Sequence, residues 1–402
     1  MGENMKINDE LILDILRFNN EGDGVAKYNN FVIFVKNALK GEKVKAVITE
    51  IKDNYAVGIA KEVIEESKDR INPICPYYKF CGGCNLLHMT NDLELEFKKD
   101  LVKNVLKKIS NVDINISDIK SYNELGYRNK ISLKVKDNKI GLYQEKSNKL
   151  VTIDRCLLVS ERVNDIINKL KDIVIDSNIS EIVIREIDEK IMVIFDKLNK
   201  DISLDVDSIY VGDECIFGSK YLVKEINGYK FVVSPKSFFQ VNSLTAENLY
   251  NKVVSYINKN DRVLDLYSGT GTISILMSKN AKEVTGVEVI QDAVKDANKN
   301  LELNNISNVN FICSKVEDVI DRFKNIDFIV LDPPRGGSDK KSLRTILSIN
   351  PKNIVYISCN PITLARDYNT LKNNYIIKEI SLFNMFPKTN HIESLMVLER
   401  KN

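Results

Sequence analysis

The chain has 402 residues, 44% of them apolar and 28% charged, and its formal net charge at pH 7 is +2. This composition is typical of a soluble globular protein with room for two or three domains, and so small a net charge does not by itself indicate a nucleic-acid binder. The first residues lack the apolar core of a signal peptide, and no apolar run approaches the roughly 18 residues of a membrane span, so we expect a cytoplasmic protein without membrane contact.

Residues 7–65 contain short runs of β-branched residues separated by Gly, Asn and Asp, for example "FVIFVK" and "KVKAVITEI". Asp23-Gly24 is a dipeptide typical of hairpin turns. Four or five strands in about 60 residues predict a small β-barrel of the OB type. Such a barrel either binds oligonucleotides or serves only as a docking and stability module.

Residues 93–110 predict a helix, because Phe97, Leu101 and Val105 fall on one face, and Asn91 is a candidate N-cap. Residues 126–235 alternate short strands and turns, which predicts an antiparallel sheet with one or two helices, an α+β middle domain. From about residue 245, strands alternate with helices. That pattern predicts a parallel, doubly wound α/β sheet with ligands at the carboxyl ends of its strands.

The stretch "VLDLYSGTGTISILM" indicates a nucleoside-binding turn. Asp265 ends a predicted strand, Gly269 and Gly271 form a tight turn at a helix N-terminus, and Glu288 ends the next strand. An acidic residue at this place accepts ribose hydroxyls. Because no basic residue is ready for a pyrophosphate, S-adenosylmethionine fits better than NAD; the alternative is a purely structural turn.

Two further groups fall at the same predicted edge of the sheet, and a third begins the last predicted strand. Asp332 follows a strand in "IVLDPPRGG", where two prolines hold the loop that carries Asp332 and Arg335. Cys359 ends the next strand, and Asn360-Pro361 then breaks it. Glu393 leads into the last strand. The alternatives are a turn, a structural cysteine and a solvated surface carboxylate.

A cysteine, a carboxylate and a methyl donor suffice to methylate carbon 5 of uracil. A thiolate at Cys359 adds to carbon 6 and makes carbon 5 nucleophilic enough to take a methyl group. A base then removes the carbon-5 proton and the thiol leaves. Because a thiol has an ordinary pKa of about 8.5, we expect the site to stabilise the thiolate.

Seven cysteines in a cytoplasmic chain indicate metal binding or catalysis more than disulfides. Cys75, Cys81 and Cys84 lie within ten residues, and Cys156 is the candidate fourth ligand. Four thiolates can hold an iron–sulfur cluster or a zinc ion. Because zinc sites usually pair two C-x2-4-C units and this chain has one, an iron–sulfur cluster is favoured. Since the methyl transfer is redox-neutral, the cluster is expected to be structural or part of an RNA-binding surface.

The order of these motifs resembles the RNA uracil-5-methyltransferases, in the iron–sulfur branch that acts on 23S ribosomal RNA. "GDGVA" and "CPYYKFCGGC" resemble the family's N-terminal TRAM barrel and cluster segment. "SPKSFFQVN", "DLYSGTG", "DPPRGG", "SCNPITLARD" and "HIESLMVLER" resemble its catalytic signatures. The resemblance covers essentially the whole chain.

The resemblance implies a TRAM/OB-type barrel at 1–66, an iron–sulfur-containing central domain at 67–235 and a Rossmann-like class I methyltransferase domain at 236–402. It further implies that the helix at 93–110 docks on the catalytic domain. The implied contacts with S-adenosylmethionine come from Gln240, Tyr267, Glu288 and Asp332. The implied nucleophile is Cys359, and its base is Glu393. The implied ligands of a 4Fe-4S cluster are Cys75, Cys81, Cys84 and Cys156.

The implied enzyme is a monomer that flips a uridine out of an RNA loop, with 23S rRNA as the favoured substrate. The alternatives are a tRNA uracil-5-methyltransferase, an RNA cytosine-5-methyltransferase, and an inactive RNA-binding or assembly protein. Cytosine methylation would call for a second cysteine near Asp332, and "DPPRGG" has none. The sequence leaves open which uridine is modified.

Overall fold

The computed structural model of the protein describes residues 5–116 and 119–401. Residues 1–4, 117, 118 and 402, which belong to the three predicted domains, lie outside the described residues. The chain divides into two units: one comprises the chain up to Leu101 with residues 144–147 and 388–390, and the other comprises the remainder. This division differs from the predicted boundaries at 66/67 and 235/236, which stay predictions.

The first unit contains a sheet of short strands whose alternate residues, such as Ile33 and Val35, are buried together. Its strands are β1 Glu10–Asp14, β2 Arg17–Phe18, β3 Gly24–Tyr28, β4 Phe31–Lys36, β5 Lys43–Ile51 and β6 Tyr55–Glu65. Their order is β1-β5-β6-β4-β3-β2, with only β4 and β6 parallel among the described pairs. The predicted strands "FVIFVK" and "KVKAVITEI" coincide with β4 and β5.

Helix α1 spans Asn91–Ser110, so the predicted helix is present but its predicted cap is wrong. Asn91 is the first helical residue, and the Leu93 N–H donates to Thr90 Oγ1 instead (3.4 Å). The second unit holds the helix from Val102 onwards, and there Ser110 Oγ donates to the Ala365 carbonyl (2.8 Å). Strand β7, Ile119–Lys120, follows. None of the described helices is long and apolar enough to cross a lipid bilayer.

The second unit contains a mixed middle sheet with one helix, α2 Glu161–Ile173, and a separate hairpin. The middle sheet consists of β8 Lys130–Lys136, β9 Lys139–Tyr143, β10 Leu150–Thr152, β11 Glu181–Ile187, β12 Lys190–Phe195, β13 Ser208–Val211 and β14 Glu214–Gly218. Its order is β10-β9-β8-β11-β12-β13-β14. The hairpin is β15 Leu222–Ile226 with β16 Tyr229–Val233. This part of the chain has the predicted α+β character, but the predicted antiparallel sheet is wrong at β12 and β13, which run parallel.

A large sheet of the second unit alternates with helices and carries most of the predicted site residues. Its remaining strands are β17 Arg262–Leu266, β18 Glu283–Glu288, β19 Val309–Cys313, β20 Phe328–Leu331, β21 Asn353–Ser358, β22 Tyr375–Phe383 and β23 Glu393–Arg400. The helices are α3 Ser243–Val254, α4 Thr272–Met277, α5 Gln291–Asn304, α6 Val316–Val319, α7 Lys340–Ile349 and α8 Pro361–Leu371. The strand order is β19-β18-β17-β20-β21-β23-β22-β7.

The first five strands of that order are mutually parallel, as predicted, but β23 is not. It runs antiparallel between β21 and β22. The prediction of a purely parallel sheet is therefore wrong at this edge. Because β22 and β23 are connected by a short loop, the chain returns along its neighbour in the opposite direction.

Two glycines of the large sheet leave room for the Phe311 ring. A Cβ at Gly286 or at Gly271 would overlap that ring. We expect Gly286→Ala to lower the free energy of unfolding by about 1–3 kcal/mol, as overpacking does, and Phe311→Leu in the same chain to restore part of the loss. Urea denaturation followed by circular dichroism measures both.

Gly271→Ala is the matched control for that experiment. Gly271 has φ +77°, a left-handed conformation that alanine resists whatever space the ring leaves, so Phe311→Leu should recover a smaller share of the loss in Gly271→Ala than in Gly286→Ala. No recovery of Gly286→Ala by Phe311→Leu would show that the ring overlap does not explain the need for glycine at 286.

Candidate active site

The carboxyl ends of β17, β18, β20 and β21 place four predicted site residues at one edge of the large sheet. Tyr267 follows β17, Glu288 ends β18, Asp332 follows β20 and Cys359 follows β21. Strands β18 and β20 lie on opposite sides of β17, so the chain changes winding direction there. In a doubly wound sheet such a switch point is where ligands bind.

The antiparallel strand β23 adds Glu393 to this edge. In its register with β21, Ser358 lies opposite Ser394. Cys359 comes one residue after Ser358, and Glu393 one residue before Ser394, so the thiol and the carboxyl are at the same end of the strand pair. In a parallel sheet, a residue at the start of the strand would lie at the opposite edge.

Cys359 lies where β21 gives way to α8. The Asn360 side chain accepts a hydrogen bond from the Ile362 N–H (3.1 Å), and Pro361 occupies the first turn of the helix. Asn and Pro are favoured at these two positions. The dipeptide that was predicted to break the strand therefore also begins a helix, and the half-buried thiol is held at the junction.

Charged groups surround the thiol. Burial raises the pKa of Cys359, and the charges of Glu393 and Asp332 raise it further, while Arg335 opposes them. Sequence reasoning expected a site that stabilises the thiolate. In the protein without ligands, the carboxylates and the partial burial favour the neutral thiol instead, and Arg335 is the one described group that favours ionisation.

The two neighbouring carboxyls are themselves perturbed. Burial and the charge of Asp332 raise the pKa of Glu393, whose side chain is buried, and Arg335 partly offsets this. Burial and the charge of Asp265 raise the pKa of Asp332. The buried hydroxyl of Tyr250 also has a raised pKa, from burial and from the charges of Asp332 and Glu393. Carboxyls placed this way are strengthened as bases and gain from a cationic ligand.

The loop that carries Arg335 is fastened to α8. Asn360 Nδ2 donates to the Arg335 carbonyl (3.1 Å), and Arg366 donates to the Gly336 carbonyl (2.8 Å). The buried Asp367 accepts from the Ser338 N–H (2.8 Å) and from the Tyr356 hydroxyl (2.6 Å). The helix that follows the thiol therefore also fixes the loop that faces it.

The glycine turn after β17 has the predicted arrangement. Gly269 and Gly271 both have positive φ, and Gly271 precedes α4. Glu288 accepts from the Gly269 N–H (3.0 Å) and, through its other oxygen, from the Ile290 N–H (2.8 Å). These bonds orient a half-exposed carboxylate that keeps lone pairs for hydroxyl donors.

Two of the predicted cofactor residues lie on flanking segments. Tyr267 has φ +66°, uncommon for a side-chain-bearing residue, and its hydroxyl is 3.0 Å from Ser338 Oγ. Gln240 lies between β16 and α3, and its carbonyl accepts from Asn129 Nδ2 (2.9 Å). No described hydrogen bond or ion pair joins the Gln240 side chain to the other site residues.

Asp265 is a functional candidate to which sequence reasoning gave no binding role. It is 1% exposed, one oxygen accepts from Ser274 Oγ, and the other has no hydrogen-bond partner among the described residues. Burial raises its pKa to about 7. Its position before the glycine turn was the available signal. Asp265 and Asp332 together give the site two buried carboxyls, which fit a nucleoside bearing a cationic group, such as S-adenosylmethionine.

The predicted cluster ligands divide between the two units, with Cys75, Cys81 and Cys84 in the first and Cys156 in the second. The first three lie in a turn-rich segment, where the Gly83 N–H donates to Cys81 Sγ (3.4 Å). The thiol chemistry fits an iron–sulfur cluster. Across residues 5–116 and 119–401, however, no group of three or more His, Cys, Asp or Glu side chains is arranged to hold a metal ion.

The raised pKa of Asp265 predicts a pH-dependent loss of stability. The folded state resists ionisation of Asp265, whose pKa there is about 7 against an ordinary 3.8. The resulting loss in the free energy of unfolding therefore grows as the pH rises from 4 to 7 and persists above pH 7. We expect Asp265→Asn to raise the free energy of unfolding at pH 8 by roughly 1–3 kcal/mol, and by less at pH 5. Chemical denaturation at the two pH values measures the difference.

Asp367→Asn is the control, because Asp367 is equally buried but accepts several hydrogen bonds. We expect it to destabilise the protein at pH 8. An Asp265→Asn variant that is less stable than the wild type at both pH values would contradict the burial argument.

Comparison with known proteins agrees with this geometry. The family described as tRNA (uracil-5-)-methyltransferase matches residues 176–401, and the TRAM domain family matches residues 6–61. An RNA methyltransferase of Clostridium acetobutylicum is 35% identical over 98% of both chains. One of Caldanaerobacter subterraneus subsp. tengcongensis is 34% identical over 98% of this chain and 99% of its own.

A solved structure resembles the whole chain. The tRNA (uracil-54, C5)-methyltransferase of Pyrococcus abyssi, in complex with S-adenosyl-L-homocysteine, has a TM-score of 0.80 and 28% identity. The match covers 96% of this chain and 100% of that one. The large sheet thus has the class I methyltransferase fold. The chain belongs to the S-adenosylmethionine-dependent RNA uracil-5-methyltransferases and carries an N-terminal TRAM domain.

Proposed function

We propose that this enzyme methylates carbon 5 of a uridine in RNA, giving 5-methyluridine, with Cys359 as nucleophile and Glu393 as base. The observation that carries the proposal is the register of β21 and β23, which brings a half-buried thiol and a buried carboxyl to the same end of two paired strands. The charges of Asp332 and Arg335 shift the pKa of both the thiol and the carboxyl.

The reaction balances with these groups, the cofactor and solvent. Cys359 loses its proton to solvent, and its sulfur forms a bond to carbon 6 of the ring while the π electrons move to carbon 5 and oxygen 4. S-adenosylmethionine, when bound, would supply an electrophilic methyl group to carbon 5, with S-adenosylhomocysteine as the leaving group. Glu393 takes the proton that carbon 5 still carries, the carbon–sulfur bond breaks, and the ring double bond re-forms. The raised pKa of Glu393 makes its carboxylate a stronger base for this step.

Four residues are proposed to hold the cofactor. Glu288 would accept the ribose hydroxyls, since its carboxylate is already oriented by the turn. Asp332 would face the cationic part of S-adenosylmethionine, because a nearby positive charge lowers the free-energy cost of ionising its buried carboxyl. Tyr267 and Gln240 would contact the remainder of the molecule from the two flanking segments.

Two RNA substrates are candidates. The iron–sulfur motif favours 23S rRNA, whereas the Pyrococcus abyssi enzyme that resembles the whole chain acts on uracil 54 of tRNA. The TRAM domain supports RNA binding in either case. The monomeric state and the cytoplasmic location stay predictions.

Transcripts that carry 5-fluorouridine distinguish the two substrates and test the nucleophile. Fluorine cannot leave as a proton, so the enzyme should remain covalently attached to its own target uridine. We expect an adduct on a 23S rRNA fragment that is stable in a denaturing gel, and peptide mapping should place it on Cys359. An adduct on tRNA alone would establish the second candidate.

Two variants separate the steps on ordinary RNA. Cys359→Ala should form no adduct and lose methylation by about 10³-fold or more. Glu393→Gln should accumulate a methylated adduct, because the carbon-5 proton is no longer removed. Turnover by Cys359→Ala at the wild-type rate would refute the proposed chemistry.

The iron–sulfur cluster is a separate part of the proposal, and no reaction step depends on it. Three cysteines within ten residues, one of them accepting a backbone N–H, support it. Anaerobically purified protein should be brown and contain iron and sulfide, and Cys84→Ser should lose both. Cys313→Ser, which removes an exposed thiol outside the proposed set, should keep them. A colourless protein with one zinc ion would overturn the assignment.

A further inference from the structure

A buried arginine of the middle sheet lies beside another cation. Arg185 of β11 is 2% exposed, and no carboxylate of a described residue lies within ion-pair distance of it. Its Nε has no hydrogen-bond partner among the described residues. Across the sheet, Lys130 of β8 pairs with it, so a second cation is its direct neighbour.

This arrangement is unfavourable for stability. Removing a guanidinium from water is costly unless it is paired, and a neighbouring cation adds repulsion. Burial lowers the pKa of Arg185 to about 10, partly offset by Asp296, so the group is still charged at neutral pH. Burial, and then Arg185, also lower the pKa of Lys130. Folding alone gives no reason for a charge here.

The guanidinium donates to a loop. Arg185 donates to the Ser237 carbonyl (2.5 Å) and to the Pro235 carbonyl (3.2 Å). Ser234 Oγ donates to Asp296 (2.6 Å) in helix α5. The first half of the segment 234–241, which joins β16 to α3, is therefore fastened from the middle sheet and from α5.

The second half of the segment is fastened by Asn129, the residue that precedes β8. Asn129 Nδ2 donates to the Gln240 carbonyl (2.9 Å), and the Asn129 N–H donates to the Val241 carbonyl (2.9 Å). Between the two anchors Phe238 is 71% exposed. Gln240 thus lies between these anchors in a short segment whose Ser237 and Phe239 are buried.

We propose that Arg185 is a positioning residue for the cofactor: it fixes the carbonyls of Pro235 and Ser237 and thereby sets the place of Gln240. The inference rests on the proposed contact between Gln240 and S-adenosylmethionine. It assigns to the middle sheet a part in cofactor binding. A guanidinium suits the task because one of its terminal nitrogens, Nη2, carries two N–H groups and donates to both carbonyls at once.

The experiment measures affinity for S-adenosyl-L-homocysteine by calorimetry, together with thermal stability. Arg185→Met keeps the length of the side chain and removes the charge and both donors. It should weaken binding about tenfold, while the melting temperature stays unchanged or rises, since replacing a buried charge by an apolar side chain is often stabilising. Arg185→Lys, with a compact ammonium, should lose part of the affinity.

A double-variant cycle shows whether Arg185 acts through Gln240. Gln240→Ala should itself weaken binding, and Arg185→Met should add no further loss in that background. If Arg185→Met leaves the affinity unchanged, or weakens it equally with and without Gln240, the positioning role is refuted. If Gln240→Ala binds as the wild type does, the proposed cofactor contact fails instead, whatever Arg185 does.

Discussion

The pairing of β21 with β23 is the constraint on which the candidate site depends. Its antiparallel register puts the residue after one strand beside the residue that begins the other, so that Cys359 and Glu393 share one end. A strand pair fixes such groups more firmly than two loops would, because each residue's place follows from backbone hydrogen bonds. The remaining site residues can then come from neighbouring strand ends, as Asp332 does.

The acidic groups of the site repel one another, which favours the binding of a cation over the stability of the fold. Asp265, Asp332 and Glu393 all have raised pKa values because they are buried near one another, and Cys359 is raised with them. Ionising these buried carboxyls costs free energy, and a cationic ligand would lower that cost. The proposed ligand is the sulfonium of S-adenosylmethionine. Buried groups that are costly in the free protein are expected where a ligand completes them.

Two supports keep the loops of the site in place, and they come from different parts of the chain. Helix α8 fastens the loop around Arg335 through Asn360, Arg366 and Asp367. Arg185 of the middle sheet and Asn129, which precedes that sheet's strand β8, fasten the segment around Gln240. Each of these supports bonds to main-chain carbonyls or N–H groups of the loop.

The sequence by itself determined the strands of the large sheet except β7, the glycine turn, and the family and enzyme class, because periodicity and short motifs are local properties. It also indicated that Asp332 and Cys359 end neighbouring strands. Only the tertiary structure decided that β23 is antiparallel, since an alternation of buried residues looks the same in either direction. It also decided that the Cys359 pKa is raised and that Arg185 reaches a distant loop, because burial and charge at these positions come from residues far apart in the chain.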